Sequence, residues 1–154
     1  MVKRVLSTTQ AEKAFTAVIG LSSQLRDYRL VHQINRNREI PFSFIRSEDL
    51  NGRTAGDAEP VSFSLYLYQD EEDGYTCYLV SNRTSEGILI PGLREMDYLL
   101  LIDGSFSHQQ KNDLLKTLRA EPGILLASEV NVTGIKPFAT FVDDLEFHMM
   151  DQKH

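Results

Sequence analysis

The chain has 154 residues, with 16 Lys+Arg against 22 Asp+Glu and a formal net charge of −6. That length suits a single domain spanning 1–154, and area scaling lets it bury roughly two-thirds of the surface its unfolded chain exposes, so no covalent or metal staple is required. A single cysteine, Cys77, excludes an internal disulfide and any cysteine-built zinc or iron–sulfur cage, and a 42% hydrophobic, 25% charged composition excludes a disordered chain.

In chain order, Lys3 and Arg4 precede no apolar run, so the start does not read as a signal peptide. Phe15 to Leu21 reads as a buried strand. Ser22 and Ser23 follow as candidate caps for a helix over Gln24–Arg38, which stops ahead of Pro41. Phe42–Ile45 reads as a short strand and Asn51–Pro60 as a loop. From Val61 to Tyr68 apolar and polar positions alternate, as they do over Thr76–Ser81, which predicts a hairpin across Gln69–Gly74. Gly87–Ile90 and Asp97–Ile102 extend this as a meander. The apolar run Tyr98–Ile102 is far too short to cross a bilayer. Ser107 with Gln110 forms a capping box for a second helix whose inner face carries Leu114, Leu115 and Leu118. Ile124–Val130 is a strand, Phe138–Val142 a candidate strand, and Asp143–His154 a frayed tail or short terminal helix; residues 1–13 are a second candidate frayed end. The pattern predicts an α+β domain: a mostly antiparallel sheet of six or seven strands with two main helices on one face, and one parallel pair available to the opening strand–helix–strand unit.

The charge is unevenly divided. Met1–Arg53 carries +4 and the remainder −10. On the first helix Arg26, Arg29, Gln33 and Arg36 share a face at 100° per residue. Guanidinium forks suit carboxylate and phosphate, so this stripe is a candidate anion surface, against the plain alternative of a solvated helix face. Asp27, Tyr28, His32 and Asn35 fall toward the apolar side and form a candidate polar cluster, either a binding group or a packing network. The candidate binding residues are therefore Arg26, Asp27, Tyr28, Arg29, His32, Asn35 and Arg36.

Other patterns lack the spacing their chemistry needs. Gly20-Leu21-Ser22-Ser23-Gln24 departs from a nucleophile elbow at its last position. Asp70–Gly74 lacks the calcium-loop ligand order, and His32, His108, His148 and His154 show no metal-ligand pairing. The sequence therefore offers no catalytic residue, no cofactor and no metal. An acidic chain without tryptophan is a poor nucleic-acid binder. The sequons at Asn82 and Asn131 carry no meaning without secretion. Tyr66, Tyr68 and Tyr78 suit an outward interaction surface, with packing under a helix as the alternative.

Ile90-Pro91-Gly92-Leu93-Arg94-Glu95-Met96-Asp97-Tyr98 resembles the signature of the IPExxxVDY family of small bacterial proteins, found chiefly in Bacteroidota. Gly92 stands at the Glu position and Met96 at the Val position. Ser22-Ser23-Gln24-Leu25-Arg26-Asp27-Tyr28-Arg29-Leu30, Phe63-Ser64-Leu65-Tyr66, Ser81-Asn82-Arg83 and Leu99-Leu100-Leu101 extend the resemblance over Phe15–Val130. It implies a cytoplasmic bacterial protein and carries no activity with it. The expected function is a non-catalytic interaction module, self-associating as a homodimer or binding another protein. The alternative is a small-molecule anion binder or enzyme that uses the arginine-rich helix.

Overall fold

Five consecutive buried residues, Tyr98 to Ile102, lie at the centre of the computed structural model, which describes residues 15–52 and 59–152. They belong to β9 (Tyr98–Gly104), which is hidden on both faces. Strand side chains alternate, so an unbroken apolar run demands cover above and below. Tyr98, Leu100 and Ile102 enter one core, and Leu99 and Leu101 the other.

The sheet runs β10 (Ile124–Glu129), β1 (Ala17–Ser23), β9, β6 (Tyr75–Ser81), β5 (Leu65–Asp70), β2 (Ile45–Arg46). Every neighbouring pair is antiparallel. The expected parallel pair is therefore absent: β1 and β2 point the same way but stand four places apart, with three strands between them. The predicted hairpin forms, Asp70 facing Tyr75 across its turn. Val61–Tyr68 is not one strand. It breaks at Ser64 into β4 (Val61–Phe63), which pairs with β3 (Leu50–Gly52), and β5. Nor does Gly87–Ile90 join the main sheet. Gly87–Ile88 is β8, paired with β7 (Arg83–Thr84) in a small hairpin, and a 3-10 turn over Pro91–Leu93 follows before the chain enters β9.

Same-direction strands need connections that cross the sheet, and helices supply them. Helix α1 (Asp27–Arg36) crosses from β1 toward β2, and α2 (His108–Ala120) leads from β9 to β10. Both bury their leucines in the core shared with Ile19, Leu21 and Leu100, so the expected one-face placement of these two holds. The capping box at Ser107 and Gln110 is present. The serine cap on α1 is not. Ser22 and Ser23 lie within β1, and Arg26 is the N-cap without a side-chain hydrogen bond. Phe42–Phe44 has no ladder pairing, the strand being confined to Ile45–Arg46.

The opposite face is closed by α3 (Lys136–Gln152). This replaces the expected strand over Phe138–Val142, and of the two expectations for Asp143–His154 it is the terminal helix, not the frayed tail, that forms as far as Gln152. Phe138, Phe141, Val142 and Leu145 recur at helical spacing and are all buried against Val18, Leu65, Val80, Leu99 and Leu101. The N-terminal segment and most of the Asn51–Pro60 loop lie outside the described residues. No described helix is long and apolar enough to cross a membrane.

Because Phe141 is 1% exposed in the second core, Phe141→Ala should lower unfolding free energy by about 3–5 kcal/mol. A urea titration checks this, and a change below about 1 kcal/mol means α3 is a dispensable tail.

Candidate functional site

Helix α1 begins with an acidic residue, Asp27, and ends with a basic one, Arg36, both favourable to its dipole. Leu30, Val31 and Ile34 are buried beneath it. The outward arc carries Arg26, Arg29, Arg36 and His32, all exposed, and Tyr28, 60% exposed. Among the described residues no carboxylate stands within ion-pair distance of Arg26, Arg29 or Arg36. The stripe thus reaches solvent as an open surface. Gln33, the polar member within it, is spent on structure. With its amide nitrogen turned toward the oxygens around it, it donates to Pro122 O (3.1 Å) and Glu121 Oε1 (2.6 Å) at the end of α2. Asn37 Nδ2 donates to the other oxygen of Glu121 at 2.7 Å.

The polar cluster expected on the apolar side divides in two. Tyr28 and His32 point into solvent. Asp27 is half-buried and accepts a hydrogen bond from Tyr66 Oη at 2.9 Å, with Arg46 stacked over the Tyr66 ring, 5.2 Å from its centroid. Burial, and next the bond to Asp27, push the Tyr66 hydroxyl up to about 12. Asn35 brackets one residue of the following segment. Its Nδ2 donates to Phe44 O at 3.0 Å and its Oδ1 accepts from Phe44 N at 2.8 Å. This paired bond substitutes for a ladder that Phe44 lacks, holding the unladdered stretch Phe42–Phe44 against α1.

A second polar centre gathers the segments that carry the family resemblance. Asp97 Oδ2 accepts from Ser23 N (2.8 Å), Asp97 N donates to Leu21 O (2.8 Å), and Ser22 Oγ donates to Glu95 O (3.1 Å). Tyr98 Oη donates to Leu25 O. Ser23 Oγ accepts from Leu25 N and donates to Gly123 O at 2.6 Å. These bonds fix the turn between β1 and α1. Asn82 fixes the other side. Completely buried, its Nδ2 donates to Leu93 O and Met96 O at 2.9 Å each, and its Oδ1 accepts from Ile90 N at 2.8 Å. Its backbone bonds Asp97 O and Leu89 N. The sequence marks Asn82 only as part of a sequon and of the Ser81-Asn82-Arg83 segment of the resemblance, with no packing role. The usable signal was a lone amide next to a strand end and ahead of a Pro-Gly turn. The amide nitrogen of that sequon is committed twice inside the core.

The tyrosines expected on an outer surface are mostly covered. Tyr66 is 6% exposed and lies with Tyr68 against the α1–α2 core, while Tyr78, on the opposite face, packs toward α3's core. Cys77 is a buried core residue whose thiol is pushed up by burial. Ser22 sits inside β1 rather than on a strand-to-helix elbow. No group of three or more metal-ligating side chains is assembled among the described residues. The chain matches no protein-family model, and no curated protein or solved structure is found similar to it.

Removing the Asn82 side chain strands the buried Met96 carbonyl and the Ile90 N–H, each worth about 1–3 kcal/mol, while the Leu93 carbonyl keeps its bond from Met96 N. Asn82→Ala should therefore lose at least about 2 kcal/mol in a denaturant titration, and a loss under about 1 kcal/mol contradicts the structural role. For Tyr66, the folded-state value of about 12 lies above the ordinary 10.0. The neutral hydroxyl's contribution is full below pH 10 and is lost as pH rises through 12. Chemical denaturation across that interval should fall more steeply for the wild type than for Tyr66→Phe.

Proposed function

We propose that this chain is a non-catalytic interaction module whose binding surface is the outward face of α1. What carries the reading is the separation of roles within the candidate set. Asp27 and Asn35 are engaged in internal hydrogen bonds, while Arg26, Arg29 and Arg36 project from the open helix surface with Tyr28 and His32 beside them. An aromatic ring among guanidinium groups suits an acidic protein segment, since such groups pair with carboxylates and tyrosine supplies apolar contact area. A convex helix surface encloses little of a small molecule, which favours a protein partner over a metabolite. A bacterial cytoplasmic setting and membership in the IPExxxVDY family belong to the same proposal, resting on the residues that resemble its signature.

Titration with a fluorescent acidic peptide tests the surface. Arg26→Glu, Arg29→Glu and Arg36→Glu together should weaken binding at least about tenfold, equivalent to about 1.4 kcal/mol. Raising salt from about 0.05 to 0.5 M should weaken the wild-type complex similarly. Unchanged affinity in the triple variant removes α1 as the binding face. Tight, saturable binding of phosphate or citrate with no peptide binding assigns the helix to small-anion recognition instead.

A further inference from the structure

We propose that the outer face of α3 is a docking surface for the arginine face of α1 on a second copy of this chain, so that copies join head to tail. The proposal rests on α1 being the interaction surface and names its occupant. On α3, Asp143, Phe147 and Asp151 form an i, i+4, i+8 row pointing away from the core, with Met150 beside it. Phe147 is 73% and Met150 64% exposed, the largest apolar exposure on this helix. Asp143 and Asp151 are about 12 Å apart along the axis, and Arg29 and Arg36 on α1 about 10.5 Å, a difference that flexible side chains absorb. Tyr28 and His32 flank the arginines as Phe147 and Met150 accompany the carboxylates. Each surface thus pairs apolar contact with opposite charge, whereas α1 on α1 or α3 on α3 sets like charges together.

The alternative route, strand addition at the sheet edge, is less open. Arg119 Nε already donates to Ala127 O of the edge strand β10 at 2.8 Å, and Lys111 is paired with Glu129 there at 3.1 Å. The opposite edge, β2, has only two residues. Because α1 and α3 bury their inner residues in the cores on opposite faces of one sheet, a single pair of rigid copies does not satisfy both surfaces at once. The contact is heterologous, so assembly continues past a pair into a ring or a filament.

Analytical ultracentrifugation of the full chain at about 20 mM salt, where charges act over about 20 Å, tests this directly. The mean mass should climb with concentration beyond twice the 17.5 kDa monomer and return toward the monomer at about 0.5 M salt. Arg29→Glu with Arg36→Glu, and separately Asp143→Lys with Asp151→Lys, should each leave a monomer. Mixing the two variants should restore association, because an acidic α3 then meets a basic α1. A wild-type chain that stays monomeric at low salt overturns the proposal, as does a mass that stops at the dimer or an assembly that survives both reversals. The acidic-peptide titration separates the two readings: peptide binding that Arg29→Glu with Arg36→Glu abolishes, in a chain that never self-associates, keeps α1 as the surface and removes the second copy as its occupant.

Discussion

The Asn82 amide determines how the ends of the central strands are finished. Residues 90–96 have no sheet ladder of their own, so carbonyls and amides buried there need partners from elsewhere. One side chain supplies three, and its backbone bonds Asp97 O and Leu89 N. Asp97 is thereby placed to receive Ser23 N, and Tyr98 to reach Leu25 O. The turn from β1 into α1 depends on those two bonds, and so does the direction in which α1 presents its arginines. A buried amide far along the chain therefore sets the orientation of the exposed surface. The motif residues near Pro91 act on this surface through backbone geometry.

The sheet also divides the molecule electrically. The layer of α1 and α2 carries Arg26, Arg29, Arg36, Lys111, Lys116 and Arg119 against fewer carboxylates, whereas α3 carries Asp143, Asp144, Glu146 and Asp151 against Lys136. The uneven charge along the chain is in this way partly an uneven charge across the fold. Such a molecule has two chemically distinct faces separated by a dry, double-sided sheet. Its tyrosines mostly lie inside these layers, where Tyr66 holds Asp27 while the bare arginines remain outside.

Much of the fold was legible from local pattern. The hairpin at Asp70–Tyr75, the capping box at Ser107, the inner leucines of α2 and the outward arginines of α1 each follow from short-range spacing. The first turns of the third helix read as a strand because Phe138–Val142 is a short apolar run that strand and helix share; only continuation to Leu145 separates them, and burial across the sheet enforces it. The serines before α1 were read as caps because hydroxyls cap well, yet here they complete β1 and bind Glu95 and Gly123, residues far away in sequence. Likewise, Asp27 and Asn35 carried no local sign of their partners, Tyr66 and Phe44.

By itself the sequence determined the periodic elements, the α+β class and the composition of each helix face, since these depend on spacing and on the chemistry of neighbours. Only the tertiary structure decided that both sheet faces are covered, that all pairs in the main sheet are antiparallel, and which polar residues are consumed in packing. The physical reason is the range of the interactions. Propensity, capping and amphipathicity act within a few residues, whereas pairing of buried polar groups joins positions such as Ser23 and Asp97 that meet only once the chain has folded. The exposed arginines of α1 belong to both levels: spacing put them on one face, and the folded chain left that face open.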